Sequence, residues 1–200
     1  DTNKGYLDKD VGRFERTEEF SLDLWFFQGQ AYEFHPNEQI GRTGKGLPYG
    51  VPIIQHRDDD NSGGSGYRLQ IEDGDLWIYI AHSRPANMIA LRMIDPLPVK
   101  EWTHITVTYD GSSRAEGTKL YINGTPAAVD VDHDTLTRSI LPLNYNPVVD
   151  SFVGFSFGQR MREKPPVGSG LDELRLFNRA LTPLEVRVLQ DAASLPSDRN

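Results

Sequence analysis

The chain has 200 residues, 38% of them apolar, enough for one domain with an ordinary core. A domain this long buries roughly 70% of its unfolded surface, so it can fold without disulfides, and the absence of cysteine says little about compartment. A net charge of -8 argues against nucleic acid, whose phosphates demand a basic face, and equally against anionic membrane surfaces.

From the amino end, DTNKGYLDKD has no apolar h-region, so it is not a signal peptide, and its abrupt start suggests a domain excised from a longer chain. No apolar run reaches the length of a membrane span. Phe20 to Phe27 alternates Leu22, Leu24 and Phe26 against Ser21, Asp23, Trp25 and Phe27. Both faces turn apolar at its far end, which predicts a strand covered on both sides. Gly29 to Gly50 is glycine-rich and weakly patterned. Val51 to Gln55 reads as a strand, with Pro52 placing it at an edge or a strand start.

Asp58 to Gly66 is a polar loop by composition. Tyr67 to Glu72 and Leu76 to Ile80 then form a hairpin around Asp73-Gly74. Trp102 to Tyr109 is a β-branched strand, and Lys119 to Ile122 enters a second hairpin at Asn123-Gly124. Phe152 to Phe157 and Leu171 to Phe177 are the last strands. Thr182, Pro183 and Glu185 supply an N-cap, a first-turn proline and a capping box for a helix through Leu184, Val188 and Leu189, stopped by Ser194 and Pro196. Short strands punctuated by turns, with one terminal helix, predict an all-β antiparallel sandwich in a single domain.

Three segments, GYRLQIEDGDLWIYI, EWTHITVTYDGSSRAEGTKLYINGTPA and GLDELRLFNRALTPLEV, occur in the order seen in laminin G-like domains of the concanavalin A-like lectin/glucanase superfamily. The resemblance covers about Val11 to Leu189, residues 1–200 forming the domain with its margins, and implies a jelly-roll sandwich. His56-Arg57, Gly66-Tyr67, Ile71 to Gly74, Pro85 with Asn87, and Pro96 to Val99 further resemble the laminin G-like insert of large planctomycete proteins. There the insert sits beside cytochrome c-like and uncharacterised regions. This subgroup implies export to the periplasm or exterior and a multidomain parent. The chain departs from it in placing Arg84 where an aromatic is usual, and in a longer stretch from Gln28 to Gly50.

Glucanases of that superfamily carry an E-x-D-x-x-E strand, because retention needs two carboxylates about 5–5.5 Å apart on a rigid element. Glu18, Glu19 and Asp23 have the wrong spacing, Glu72 and Asp75 flank a turn, and adjacent Asp172 and Glu173 should face opposite ways on a strand. A glycoside hydrolase is therefore a remote reading, and a non-catalytic module the expected one. Asp130, Asp132 and Asp134 alternate, so an extended backbone would set them on one face. That could be a calcium site, but Thr135 and Leu141 break the EF-hand pattern, and an acidic strand edge that deters pairing is the plainer reading. The family resemblance separately nominates Asp172 as one ligand of a structural calcium.

With Leu76, Ile78 and Ile80 facing the core, Trp77 and Tyr79 must face outward, where aromatics can stack on sugar rings. Loops that cover such sheets are the competing possibility. His82, Arg84 and Asn87 are read as a loop just past this strand, and His56 and Tyr67 as bordering the neighbouring loop. Together they could supply hydrogen bonds to hydroxyls or a carboxylate, although Pro85 and Asn87 could simply shape a turn. His104, inside a strand, reads as structural. The expected partners are a glycan held on a concave sheet and its rim loops or, alternatively, neighbouring domains of the parent protein.

Overall fold

A computed structural model describes residues 11–30, 51–57, 64–72, 74–141, 154–157 and 168–192. Two antiparallel sheets face each other. The strands are β1 (Phe20–Phe27), β2 (Val51–Arg57), β3 (Gly66–Glu72), β4 (Asp75–Ser83), β5 (Asn87–Met93), β6 (Trp102–Tyr109), β7 (Thr118–Ile122), β8 (Thr125–Pro126), β9 (Val129–Asp134), β10 (Gly154–Phe157) and β11 (Gly170–Phe177). One sheet has five strands in the order β11-β1-β6-β7-β8, and the other has six in the order β10-β2-β3-β4-β5-β9. Helix α1 (Pro183–Ala192) follows the last strand. The sandwich, its antiparallel pairing and its terminal helix are those the alternation and turns predict.

The core lies between the sheets and is built from every second residue. Phe20, Leu22, Leu24 and Phe26 of β1 meet Leu69 and Ile71 of β3, Leu76, Ile78 and Ile80 of β4, and Ile89 and Leu91 of β5. β1 is buried along nearly its whole length on both faces, as its far end predicts. Among the described residues β10 pairs with Ile54 to Arg57, and Pro52 stands at the start of β2, outside that pairing. Asn123 and Gly124 have φ values of 49° and 72°, the paired left-handed conformation that lets a two-residue turn follow the strand twist.

At the helix entrance, the Thr182 amide donates to Glu185 Oε2 at 2.8 Å and the Glu185 amide to Thr182 Oγ1 at 3.3 Å, the predicted reciprocal box. The helix buries one side against the sheet. Val186 and Leu189 pack with Leu181, Phe177 and Tyr121 on the outer face of the five-stranded sheet, whereas Leu184 and Val188 stay exposed. Gly29 and Gln28 are described at the start of the irregular stretch; residues 31–50, the tip of the polar loop at 58–63, Asp73, residues 152–153, and Ser194 and Pro196 lie outside the described residues.

β4 is longer than the alternation predicts, and β5 is a strand it does not predict. β4 runs on to Ser83 and β5 begins at Asn87, so His82 belongs to a strand rather than a loop. Bulges reset two faces. Opposite Asp23 and Trp25 of β1, β11 carries one extra residue between Asp172 and Arg175, and Glu173 takes φ 49°, so Asp172 and Glu173 do not simply alternate. In β9 the slip between Ala90 and Leu91 splits the aspartates. Asp130 pairs with Arg92, Asp132 contacts His133, and Asp134 accepts the Ala115 amide at 2.8 Å. They do not share one face, and β9 is an edge strand.

Candidate functional site

The outward face of the six-stranded sheet is built from the residues that alternate with the core. β3 contributes Arg68, Gln70 and Glu72, β2 contributes Gln55, and β4 contributes Trp77 and Tyr79. Arg68 donates from Nε and Nη2 to Gln55 Oε1 at 3.0 and 2.8 Å, and from Nη1 to Gln70 Oε1 at 2.6 Å. Gln70 Nε2 in turn donates to Glu72 Oε2, which also accepts the Tyr79 hydroxyl at 2.9 Å. All five side chains are buried. A buried cation and carboxylate are stable only when their donors and acceptors are matched, and here two glutamine-type amides and a phenol supply much of the matching. Burial, and then the Glu72 charge beside it, push the Tyr79 hydroxyl far above its ordinary range, so it stays a donor.

Above this floor lies a layered stack. The Trp77 and Tyr79 rings are parallel within 1°, with centroids 5.5 Å apart, and the Arg84 guanidinium carbon sits 3.9 Å from the Tyr79 centroid. Cation and ring quadrupole attract in that arrangement. Tyr79 does lie on the outward side, as alternation requires, but it is only 5% exposed and so offers no open stacking surface. Trp77 and Arg84 are half-buried and do reach the surface. A cavity of about 10 Å³ beside Gly64, Arg68, Tyr79 and Arg84 would admit one water at most, so a larger ligand must rest on the stack rather than enter the floor. Arg92 borders Trp77 in register and bridges Asp75 at 3.3 Å and Asp130 at 2.7 Å.

The remaining predicted site residues are placed elsewhere. Asn87 spends its amide on the chain opposite: Nδ2 donates to the Thr135 carbonyl and Thr137 Oγ1, and Oδ1 accepts the Thr137 and Arg138 amides. Buried His82 contacts the Ser139 carbonyl through Nδ1 at 2.7 Å. Both pin the 135–139 segment. His56 and Tyr67 point into the sandwich, their rings stacked with centroids 5.8 Å apart, and the Tyr67 hydroxyl donates to the Gly12 carbonyl at 2.7 Å. Their parity on β2 and β3 matches the core residues.

Asp172 Oδ1 caps the Glu173 amide at 2.9 Å. Among the described residues no three His, Asp or Glu side chains converge to hold a metal. A calcium ion needs about six to eight oxygens, and among the described residues Asp172 is the ligand the resemblance names.

A second buried polar cluster was not apparent from the sequence. On the outward face of the five-stranded sheet, Asp23 accepts from Thr106 Oγ1 at 2.7 Å and from Arg175 Nη1 at 3.0 Å. His104 Nε2 lies 2.9 Å from Asp23 Oδ1, at ion-pair distance but out of line for a hydrogen bond. Arg175 also reaches Glu173 at 2.5 Å, a contact made possible by the β11 bulge. Burial would raise the Asp23 carboxyl, but His104, Thr106 and Arg175 more than offset it and hold it below the usual range. The sequence signal is an aspartate in the middle of an apolar strand, which the structure places opposite Thr106 and beside His104. Asp23 and His104 are fully buried.

A family model described as the Concanavalin A-like lectin/glucanases superfamily, in its laminin G form, matches residues 1–187. No curated protein sequence matches. Among solved structures, the botulinum neurotoxin serotype G binding domain aligns over 92% of this chain and 38% of its own, with 15% identity and a TM-score of 0.53. A botulinum neurotoxin type C structure, from work in which entering cells is dependent upon interaction with two ganglioside molecules, aligns over 94% and 38%, with 15% identity and a TM-score of 0.56. A Bacteroides ovatus protein provisionally described as carbohydrate binding aligns over 88% and 41%, with 18% identity and a TM-score of 0.50. The chain thus spans well under half the length of these structures, and at such identities the likeness is one of fold.

Proposed function

Because the chain belongs to the concanavalin A-like lectin/glucanase superfamily, we propose that it is a non-catalytic module that binds carbohydrate on the outward face of its six-stranded sheet. The observation that carries this reading is the Arg84–Tyr79–Trp77 stack fixed on a buried polar floor. A sugar ring needs a rigid apolar plane flanked by donors, and Trp77 with Arg84 and Arg92 supplies both at the surface. Tyr79 serves as the platform that orients Trp77 rather than as a contact. The neurotoxin and Bacteroides neighbours lend fold-level support. The setting we propose is an exported multidomain protein of the planctomycete kind its motifs resemble.

A glycan array followed by titration of the best hit is the test. Trp77→Ala should weaken that hit at least tenfold while shifting the unfolding midpoint little, since Trp77 is only half-buried. Silence across the array, or equal affinity after the substitution, would count against the reading.

A hydrolase remains the alternative within the superfamily. Glu72 argues against it, being buried and already bonded to Gln70 and Tyr79. Hydrolysis of an array hit that disappears in Glu72→Gln would overturn the non-catalytic assignment.

A further inference from the structure

We infer that the cleft between β7 and β9 receives an extended peptide, which adds to the six-stranded sheet through the β9 edge and presents basic side chains to it. This surface lies at the margin between the sheets and is independent of the carbohydrate reading.

The cleft measures about 570 Å³, within the range of ligand sites. Leu91, Ala115, Leu120, Ala127 and Val129 make it apolar, and Val131 stands at its mouth, 57% exposed. Its two sides are strand margins. β8 pairs with Tyr121 and Ile122, and the Ala127 amide donates to the Leu120 carbonyl at 2.9 Å, so among the described residues Thr118 and Lys119 are the β7 positions with no strand partner on that side. On the other side β9 ends the six-stranded sheet among the described residues.

Backbone parity makes that end a usable one. The Ile94 amide donates to the Ala128 carbonyl at 3.0 Å, and Arg92 lies opposite Asp130 in register. Residues 128 and 130 therefore turn their peptide groups toward β5, and Val129 and Val131 turn theirs outward. Their side chains, alternating the other way, line the cleft. An incoming strand would bond the outward peptide groups and drop every second side chain into the apolar space, the geometry of β-augmentation. The Thr118 hydroxyl at the cleft wall, in a residue 2% exposed, has no partner of its own.

Charge selects the occupant. Glu116 and Asp134 line the cleft against Lys119, and outside that lining β9 carries Asp130, paired with Arg92, and Asp132, in contact with His133. A second copy would bring the same aspartates and a further net charge of -8 to the same edge, which opposes self-pairing. A strand alternating apolar with lysine or arginine is favoured instead.

The probe is a labelled eight-residue peptide alternating valine and lysine, with valine–glutamate and serine–lysine peptides as controls, titrated by fluorescence anisotropy. The valine–lysine peptide should bind at least ten times more tightly than either control and slow amide exchange at Val129 and Val131. Val131→Pro removes an outward N–H without touching the β5 ladder and should abolish that preference. Val131→Lys, at a position already exposed, does the same by charge and serves if the proline variant fails to fold. Binding that the serine–lysine peptide matches, or that both variants keep, overturns the proposal, as does no binding. A concentration-dependent dimer that Val131→Lys dissolves would also overturn it, in favour of a second copy.

Discussion

The two outward faces of the sandwich solve the same problem in different ways. Each buries an arginine-linked carboxylate: Asp23 with Arg175 on one sheet, Glu72 with Arg68 through Gln70 on the other. On the five-stranded sheet the chain closes over part of its face with α1, and Asp23 and His104 are shut away entirely. On the six-stranded sheet the network stops one layer below the surface and holds up Trp77 and Arg84. Buried charge is costly, so its retention calls for a reason. In the first case the pairs fix a bulged strand; in the second they fix a surface.

The largest effect is expected where the carboxylate is most deeply buried. Asp23→Asn strands Arg175 and His104 beside a neutral amide, and breaking such a pair costs about 3 kcal/mol, read as a lower urea midpoint. Affinity for the best glycan should be unchanged, because the opposite sheet is untouched. Loss of affinity without loss of stability would break the division between the faces. The same substitution should flatten the acid limb of the stability profile. The Asp23 carboxyl is held low in the folded chain, so its contribution is complete above the unfolded value of about 3.9 and disappears as pH falls through the lower folded value. A wild-type acid limb as flat as the variant's would mean that Asp23 is not the group being protonated.

A smaller effect should follow on the other face. Tyr79→Phe removes the hydroxyl given to Glu72 but keeps the ring between Arg84 and Trp77. Leaving a buried carboxylate one donor short costs about 1–2 kcal/mol. Glycan affinity should stay within about threefold, since the stack survives and a factor of three is worth only about 0.7 kcal/mol. If affinity falls tenfold instead, the hydroxyl rather than the ring is what the ligand reads, and the platform account fails.

The sequence made the layering legible, but the two polar clusters only in part. Period-two alternation assigned Trp77 and Tyr79 to the outward side and Leu76, Ile78 and Ile80 to the core, because parity is a local property. Whether an outward residue is also exposed is not local, and Tyr79 turned out buried. Gln55, Arg68 and Asp23 were unreadable as partners for the same reason. Their contacts cross strands, and for Asp23 and Arg175 they cross nearly the whole chain. The errors in parity all fall at bulges, where Glu173 and Asp132 interrupt the count. His82 and Asn87 were misread differently. Their polar side chains suggested a loop, yet they occupy strand ends and hold the chain from Thr135 to Ser139 in place.

The smallest effect tests whether the closed face depends on its cover. Thr182→Ala removes one half of the capping box, since the Glu185 amide loses its acceptor while the Thr182 amide keeps its bond to Glu185. Loss of an N-cap costs about 1 kcal/mol, and α1 is short enough for its first turn to fray. Fraying would lift Val186 from Leu181 and from Tyr121, which stands opposite Thr106 in register, while the pairing of Asp23 with Thr106 and Arg175 is made by β1, β6 and β11 without the helix. Amide exchange should therefore quicken through α1 and at Tyr121 but stay slow at Asp23 and Thr106. Faster exchange at all of these positions would make the helix the lid of the Asp23 cluster, and the closed face would then be closed by one movable element rather than by its own strand pairing.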